Sequence, residues 1–318
     1  MGTNRTTDIA SVPASIGEQR QGVDLSVCIV TYNACAYLRD CLRSLFEHTR
    51  SLDLEVIVVD NGSKDGVAEM LREEYPAVQF IENERNAGYT RPMNQSLRAG
   101  SGRYLLQLNP DTLIKPGALE RLVHFLGEDP KAGICGPKVV NKDGTLQKAC
   151  RRGEPRPLAV ISYFTGLSRL FPRSKRFGEY LMSYMDEDET HTAASLSGSC
   201  MLIRREVVEQ IGYLDERFFA YQEDADYCFR ARQAGWQVYY VPAAQIVHFG
   251  GQGGSRVHPF RSIIEWHKSY YWYYRKHLAK DYFFLFNLLY YTAMGVKLGL
   301  ALLVNFLRKE KYAGPRRG

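Results

Sequence analysis

The sequence predicts an α/β fold: a mostly parallel sheet flanked by helices, followed by an aromatic and apolar helical extension. Three observations carry this. Residues 25–31, 54–60 and 104–108 are short, near-continuous apolar runs, as expected of strands buried on both faces. Helical periodicities lie between them, so strand and helix alternate as in βαβ units. Each run ends in polar residues, Thr31-Tyr32-Asn33, Asp60-Asn61-Gly62-Ser63 and Asn109-Pro110-Asp111. In parallel sheets, ligands bind beyond those carboxyl ends.

Residues 1–22 are polar and aperiodic, which predicts a disordered lead-in. One domain is then expected over 23–257. After the first strand, Leu38, Leu42, Leu45 and Phe46 share one side of a helix. After the second, Asp65 is placed to cap a helix reaching about Tyr75. Residues 78–81 read as a short third strand. Asn86-Ala87-Gly88 is a turn and 91–98 a helix, leading into the fourth strand at 104–108. A helix near 116–127 and a strand near 133–140 come next.

Residues 141–195 read as a long excursion with prolines, basic clusters, an acidic run and one short helix between Leu158 and Phe171. Such lengths point to a flap or an acceptor-side element. Residues 197–203 form a strand in which Gly198 permits close backbone approach. The chain is organised around the stretch from Phe218 to Arg230, where Glu223, Asp224 and Asp226 open a helix. The helix dipole favours their anionic form, which suits a base working at neutral pH. The bland alternative is acids that simply favour a first helical turn. A strand at 237–241 then leads to His248 and a glycine-rich loop ending near Ser255.

The net charge of +6 is unevenly spread. Residues 255–318 hold twelve Lys and Arg against three acids, leaving −3 for residues 1–254. A basic end suggests an anionic partner. Its residues are joined to an apolar stretch, which favours a phospholipid surface over nucleic acid. The stretch 258–277 is helical and aromatic, and 282–307 is almost wholly apolar apart from Asn287, Thr292, Lys297 and Asn305. Aromatic belts and basic flanks suit a bilayer interface. A helix or hairpin lying in the leaflet is preferred to a single span, because Lys297 is costly within a span. A dimerising helix pair is the soluble alternative, so self-association stays open. Seven scattered cysteines without a C-x-x-C pair suggest a reducing compartment and no zinc site. No G-x-G-x-x-G comes after the first strand, and no P-loop motif occurs anywhere.

In Ser26–Asn33, Val58–Ser63, Asn109-Pro110-Asp111, Ser197–Met201, Tyr221–Asp226 and His248 with its glycines, the chain resembles the family 2 glycosyltransferases, in their rhamnosyltransferase-like branch. The pieces stand in family order over about 25–255. The resemblance implies a GT-A, Rossmann-like fold, a nucleotide-sugar donor, a divalent Mg or Mn ion and inversion at the anomeric carbon. It places Asp224 as base with Glu223 in support, and Asp111 and His248 as metal ligands. Asn109 replaces the first acid of the usual acid-x-acid motif, and an imidazole suits Mn better than Mg. The donor pocket implied comprises Thr31, Tyr32, Asn33, Asp60, Asn86, Gly88, Arg91, Asn94 and Asn109. Arg91 has a second reading, as a solvated helix residue. Gly198, Ser199 and Asp226 fall on the acceptor side, with Asp226 also able to pair with Arg230 on the same helix face.

The expected function is therefore transfer of a sugar, L-rhamnose from dTDP-L-rhamnose by branch resemblance, to a lipid-linked or surface-glycan acceptor. The expected location is the cytoplasmic face of the membrane, held peripherally or monotopically by 258–318. The same chemistry with a UDP-linked N-acetylglucosamine, galactose or galactofuranose is the alternative. A catalytically silent glycan- or nucleotide-sugar-binding module is disfavoured, because it needs no base. A nucleotidyltransferase lacks the glycine-rich loop that would hold a triphosphate.

Overall fold

The computed structural model describes residues 22–251 and 259–308. The expected lead-in up to residue 21, the glycine-rich stretch 252–258 and the basic tail after Arg308 lie outside the described residues.

The parallel half of the sheet comprises β1 (Leu25–Thr31), β2 (Leu54–Asp60), β3 (Gln79–Glu82) and β4 (Tyr104–Leu108). Its crossover helices are α1 (Cys35–His48), α2 (Val67–Glu74) and α3 (Thr90–Ala99). All seven β1 residues are buried, which explains the unbroken apolar run. Leu38, Cys41, Leu42 and Leu45 bury one stripe of α1 against the sheet. Each fully buried leucine there stabilises the fold by roughly 1.5–3 kcal/mol. Phe46 lies outside that stripe and stacks on Tyr75 at the surface. Asp65 does not cap α2. Its Oδ2 accepts the Cys35 amide at 2.8 Å, tying the loop to the start of α1, while Gly66 in a left-handed conformation precedes α2.

The chain continues through β5 (Thr112–Ile114), α4 (Ala118–Glu128) and β6 (Ala132–Val140). The excursion contains β7 (Arg151–Arg152), α5 (Pro157–Thr165), α6 (Leu167–Leu170), α7 (Lys175–Gly178), β8 (His191–Thr192) and β9 (Ser195–Leu196). It is more structured than the single helix expected from sequence. Then come β10 (Cys200–Arg204), α8 (Arg205–Ile211), α9 (Glu223–Gln233) and β11 (Gln237–His248).

Among the described residues nine strands form one sheet, in the order β3-β2-β1-β4-β10-β6-β11-β5, with β8 added beside β11. The β1–β2, β1–β4, β2–β3 and β6–β11 pairs are parallel, and β10 runs antiparallel between β4 and β6. β7 and β9 make a separate two-stranded ladder. All seven cysteines are free. Burial pushes the Cys28, Cys41 and Cys228 thiols up to about 12, so they serve as core residues.

The extension consists of α10 (Pro259–Tyr273), a π turn (Tyr274–Leu278) and α11 (Phe284–Leu307). It is docked on the sheet domain. Phe218 and Ala225 bury Tyr273, Tyr274 and Leu278, and Ser269 Oγ donates to Ala220 O at 2.8 Å. α11 is long and apolar enough to cross a membrane, and most of its large side chains are exposed. Lys297 at its middle faces the domain. Its Nζ lies 3.1 Å from His267 Nε2, and 4.1 and 4.2 Å from the Trp266 and Phe164 ring centroids.

Candidate active site

Parallel pairing puts Thr31 directly beside Asp60 at the carboxyl edge. Both are buried. Asp60 accepts the Ser63 amide at 3.0 Å and the Ser63 hydroxyl, which shapes the turn after β2. The Thr31 hydroxyl is buried without a partner among the described residues, an open polar position in the expected donor pocket. Tyr32 is half-buried beside it. Asn33 takes φ of 49° and accepts the Lys64 amide at 2.9 Å, so it holds the turn.

Asn61, which sequence reasoning passed over, braces the Asn86–Gly88 loop. Its Nδ2 donates to Gly88 O at 2.6 Å and to Asn86 Oδ1 at 3.1 Å, and its Oδ1 accepts the Ala87 amide at 3.0 Å. Gly88 has φ of 94°, and a Cβ there would run into Phe219, so only glycine fits.

At the position expected to hold the metal, β11 pairs with β5 so that His248 stands opposite Thr112, next to Asp111. His248 Nε2 lies 3.1 Å from Asp111 Oδ1 and 3.2 Å from Asn109 Nδ2. His248 Nδ1 is 3.0 Å from Gln147 Oε1, an acceptor only, so Nδ1 carries the proton. Nε2 then presents a lone pair toward a carboxylate oxygen. Asn109 Nδ2, 3.2 Å away, can donate to that lone pair, and a cation shared by the imidazole and the carboxylate would satisfy both acceptors. This donor set fits a divalent ion. No cluster of three His, Cys, Asp or Glu side chains occurs among the described residues. Gln147 also donates to His248 O at 2.6 Å, clamping the residue at both ends.

On the opposite wall, Glu223 and Asp224 open α9 and are both buried. The preceding Tyr221 and Gln222 have φ of 70° and 62°, backbone strain of roughly 1–3 kcal/mol each. Asp224 Oδ2 accepts from Arg152 Nη2 at 2.6 Å and from the Gly198 amide at 3.0 Å. Its Oδ1 accepts the Ala225 amide at 2.7 Å. Arg152 is buried, which alone would lower its pKa. The Asp224 charge outweighs this, and the guanidinium titrates above its ordinary range. Burial, reinforced by Asp224, raises the Glu223 carboxyl to about 8, and Glu223 Oε2 has no partner among the described residues.

Tyr89 joins the two walls. Its hydroxyl accepts from Gln107 Nε2 at 3.0 Å and lies 3.3 Å from Asn109 Oδ1 and 3.4 Å from Gly198 O. A continuous polar chain thus runs Asp224, Gly198, Tyr89, Asn109, His248, Asp111. Ser199 supports it, with its carbonyl accepting the Asn109 amide at 2.9 Å. A Cβ on Gly198 would collide with Gln107, so the close approach expected there is present.

Three expected site residues spend their polar groups on structural contacts. Arg91 is exposed and pairs with Glu216 at 3.3 Å, in line with its reading as a solvated helix residue. Asn94 is fully buried and spends its amide on Leu214 and Glu216, bracing that loop instead of lining the donor pocket. Asp226 takes its second reading, the pairing with Arg230 on the same helix face, and adds two cations from the extension. Its buried carboxylate is held by Arg230 at 2.9 Å, Lys276 at 2.5 Å and His277 at 2.7 Å. Burial opposes its ionisation, but His277, Lys276 and Arg230 hold it below the usual carboxylate range. Arg152, Tyr89 and Gln147 were missed because their partners are distant in sequence.

Comparison with known proteins identifies the family and the fold. The family described as glycosyl transferase family 2 matches residues 26–212. The chain is 31% identical over 258 residues to the N-acetylglucosaminyl-diphospho-decaprenol L-rhamnosyltransferase of Mycobacterium tuberculosis, spanning 78% of this chain and 82% of that one. It is 26% identical over 229 residues to the low-salt glycan biosynthesis hexosyltransferase Agl10 of Haloferax volcanii, spanning 71% and 67%. Among solved structures it is similar to the mannosyltransferase PcManGT from Pyrobaculum calidifontis in complex with GDP-Man and Mn2+. The TM-score is 0.54 at 19% identity, over 83% of this chain and 68% of that one.

Proposed function

The chain belongs to glycosyl transferase family 2, and from that membership we propose that it moves L-rhamnose from a dTDP-linked donor to a lipid-linked glycan acceptor, inverting the anomeric carbon. The carrying observation is the arrangement of Asp224 across from Asp111 and His248, joined through Gly198, Tyr89 and Asn109. The rhamnosyl donor and lipid-linked acceptor are supported by the mycobacterial relative's name at 31% identity.

In this reading the acceptor hydroxyl attacks the anomeric carbon from the face opposite the diphosphate. The carbon–oxygen bond to phosphate breaks, and its electron pair leaves with the nucleoside diphosphate. Asp224 takes the hydroxyl proton as the new bond forms. Oδ1 is the oxygen for that task, since Oδ2 is occupied by Arg152 and the Gly198 amide. A Mg or Mn ion between Asp111 and His248 would neutralise charge on the departing diphosphate. The Thr31 hydroxyl and Asp60 side chain, at the ends of neighbouring strands, bind the nucleoside. Glu223, mostly protonated at neutral pH, is a hydrogen-bond donor beside the base.

The extension holds the protein at the cytoplasmic membrane surface. This is supported by the exposed apolar side chains of α11. Docking of Lys297 on Trp266, Phe164 and His267 favours α11 lying along the surface over a free span.

Calorimetric titration of dTDP-rhamnose, UDP-sugars and GDP-sugars into detergent-purified protein, with and without Mn2+ or Mg2+, tests the assignment. Selective, metal-dependent binding of dTDP-rhamnose is expected. Selective binding of a UDP-sugar would keep fold and base but replace the donor. A folded protein that binds no donor would leave only a glycan-binding module.

A further inference from the structure

α5 is apolar on nearly every side, yet it is not a core helix. Ala159 and Val160 pack against Tyr180 and Tyr270, with Met294 of α11 beside them. Leu158, Ile161 and Phe164, three residues apart, are left 44–47% exposed. Where α5 turns into α6 the pattern sharpens: Leu170 is 70% exposed and Phe171 47%. Exposed apolar side chains clustered in this way mark a contact surface.

The charge around them is of one sign. Between Pro157 and Gly178 the chain has Arg169, Arg173, Lys175 and Arg176 and no Asp or Glu. All four cations are exposed, and none has an ion-pair partner among the described residues. A protein partner of ordinary composition would present mixed charges. Unmixed cations ringing large apolar side chains match a leaflet with anionic headgroups, where long basic side chains reach the phosphates from an embedded apolar tip. The surface also adjoins α11, since Phe164 is one wall of the Lys297 site.

We propose that the corner between α5 and α6 is a second membrane contact, in which Leu170 and Phe171 enter an anionic phospholipid leaflet and Arg169, Arg173, Lys175 and Arg176 hold its headgroups. The proposal rests on the lipid-linked acceptor assigned above and gives that acceptor a route. α5 begins five residues after Arg152, which grips Asp224. α5 thus ties the strand that carries Arg152 to the embedded corner, Leu170 lying eighteen residues after Arg152. A lipid-linked glycan lying in the same leaflet would reach Asp224 without leaving the membrane.

The test uses the full chain and two double variants, Leu170→Ser/Phe171→Ser and Arg173→Gln/Arg176→Gln. All four side chains are exposed, and matched thermal unfolding will confirm that the fold is intact. Binding is measured by sedimentation with phosphatidylcholine vesicles, with and without phosphatidylglycerol. The arginine variant should bind phosphatidylglycerol vesicles about fivefold more weakly per cation removed and pure phosphatidylcholine vesicles unchanged. The serine variant should bind both more weakly. Equal binding of parent and variants to both vesicles overturns the proposal. So does loss of a parental dimer in the variants with vesicle binding unchanged, which would make a second copy the occupant. Vesicle binding that falls in the variants, in a protein transferring no sugar from any donor, upholds the membrane contact and removes the lipid-linked acceptor reading alone.

Discussion

Arg152 Nη2 stands 2.6 Å from Asp224 Oδ2, with both side chains 11% exposed. One residue comes from a two-residue strand in the excursion, the other from the start of α9, 72 positions later. The β7–β9 ladder and the Gly198 amide fix the arginine and the carboxylate in the same corner. The excursion is thus part of the wall that carries the proposed base.

Removing the arginine strands a buried carboxylate, which costs about 3–5 kcal/mol when a buried pair is broken from one side. Arg152→Ala should lower stability by that order in a urea titration and depress transfer as well. Asp224→Asn should cut transfer by about 10²–10⁴ through loss of the base, with donor affinity nearly intact. Normal transfer by Asp224→Asn would move the base elsewhere, with Glu223 first in line.

Glu223 gives a pH signature. Its carboxyl titrates at about 8 in the folded protein, against 4.5 ordinarily. Between those values the folded state holds a proton that the unfolded chain has released, so this group's contribution to stability falls as pH rises through the window. Glu223→Gln removes the effect. The melting temperature of the variant relative to the parent should rise from acid pH to above pH 8, and a constant difference would contradict a buried, raised carboxyl.

Gln147 fixes the His248 tautomer by accepting from Nδ1. Gln147→Leu should leave the fold intact and weaken Mn2+-dependent nucleoside diphosphate binding about 10–100-fold, as loss of a supporting contact behind a ligand does. Asp111→Ala should remove the metal response altogether. Calorimetry with and without Mn2+ reads both, and an unchanged metal dependence in either variant would sink the assigned site.

Truncation after Asp281 should release most of the protein from neutral vesicles, because α11 carries much of the exposed apolar surface. Residual binding to anionic vesicles is expected from the α5–α6 corner. Undiminished binding to neutral vesicles would place the anchor outside α11.

The sequence is most legible where burial is two-sided. β1, β2 and β4 have so few polar residues that their runs, and the polar ends beyond them, stand out. α9 is legible through Glu223 and Asp224. The full length of β11 is hidden by Pro242 and the register shift between Val241 and Gln245, which read as the end of a strand. His248 therefore looks like a loop residue, although pairing with β5 is what carries it to Asp111. Asn94 and Asp226 meet a related limit: the Arg230 pairing of Asp226 is legible at four-residue spacing, while its Lys276 and His277 contacts and the Leu214 and Glu216 contacts of Asn94 are not. Periodicity shows that a polar residue lies on a helix, but not which neighbouring element its side chain faces.

The grip of Lys276 and His277 on Asp226 has a bearing on how the molecule is made. A ribosome releases the chain in sequence order, and of the three cations that hold Asp226, α9 emerges with Arg230 alone, four residues on. The other two cations arrive fifty residues later. Until they are synthesised the helix bearing Asp224 lacks its final clamp, and α11 comes immediately after. If α11 is the membrane anchor proposed above, completion of the proposed cleft and arrival at the bilayer would be adjacent events in biosynthesis, and a chain not yet at the membrane would hold an unfinished site.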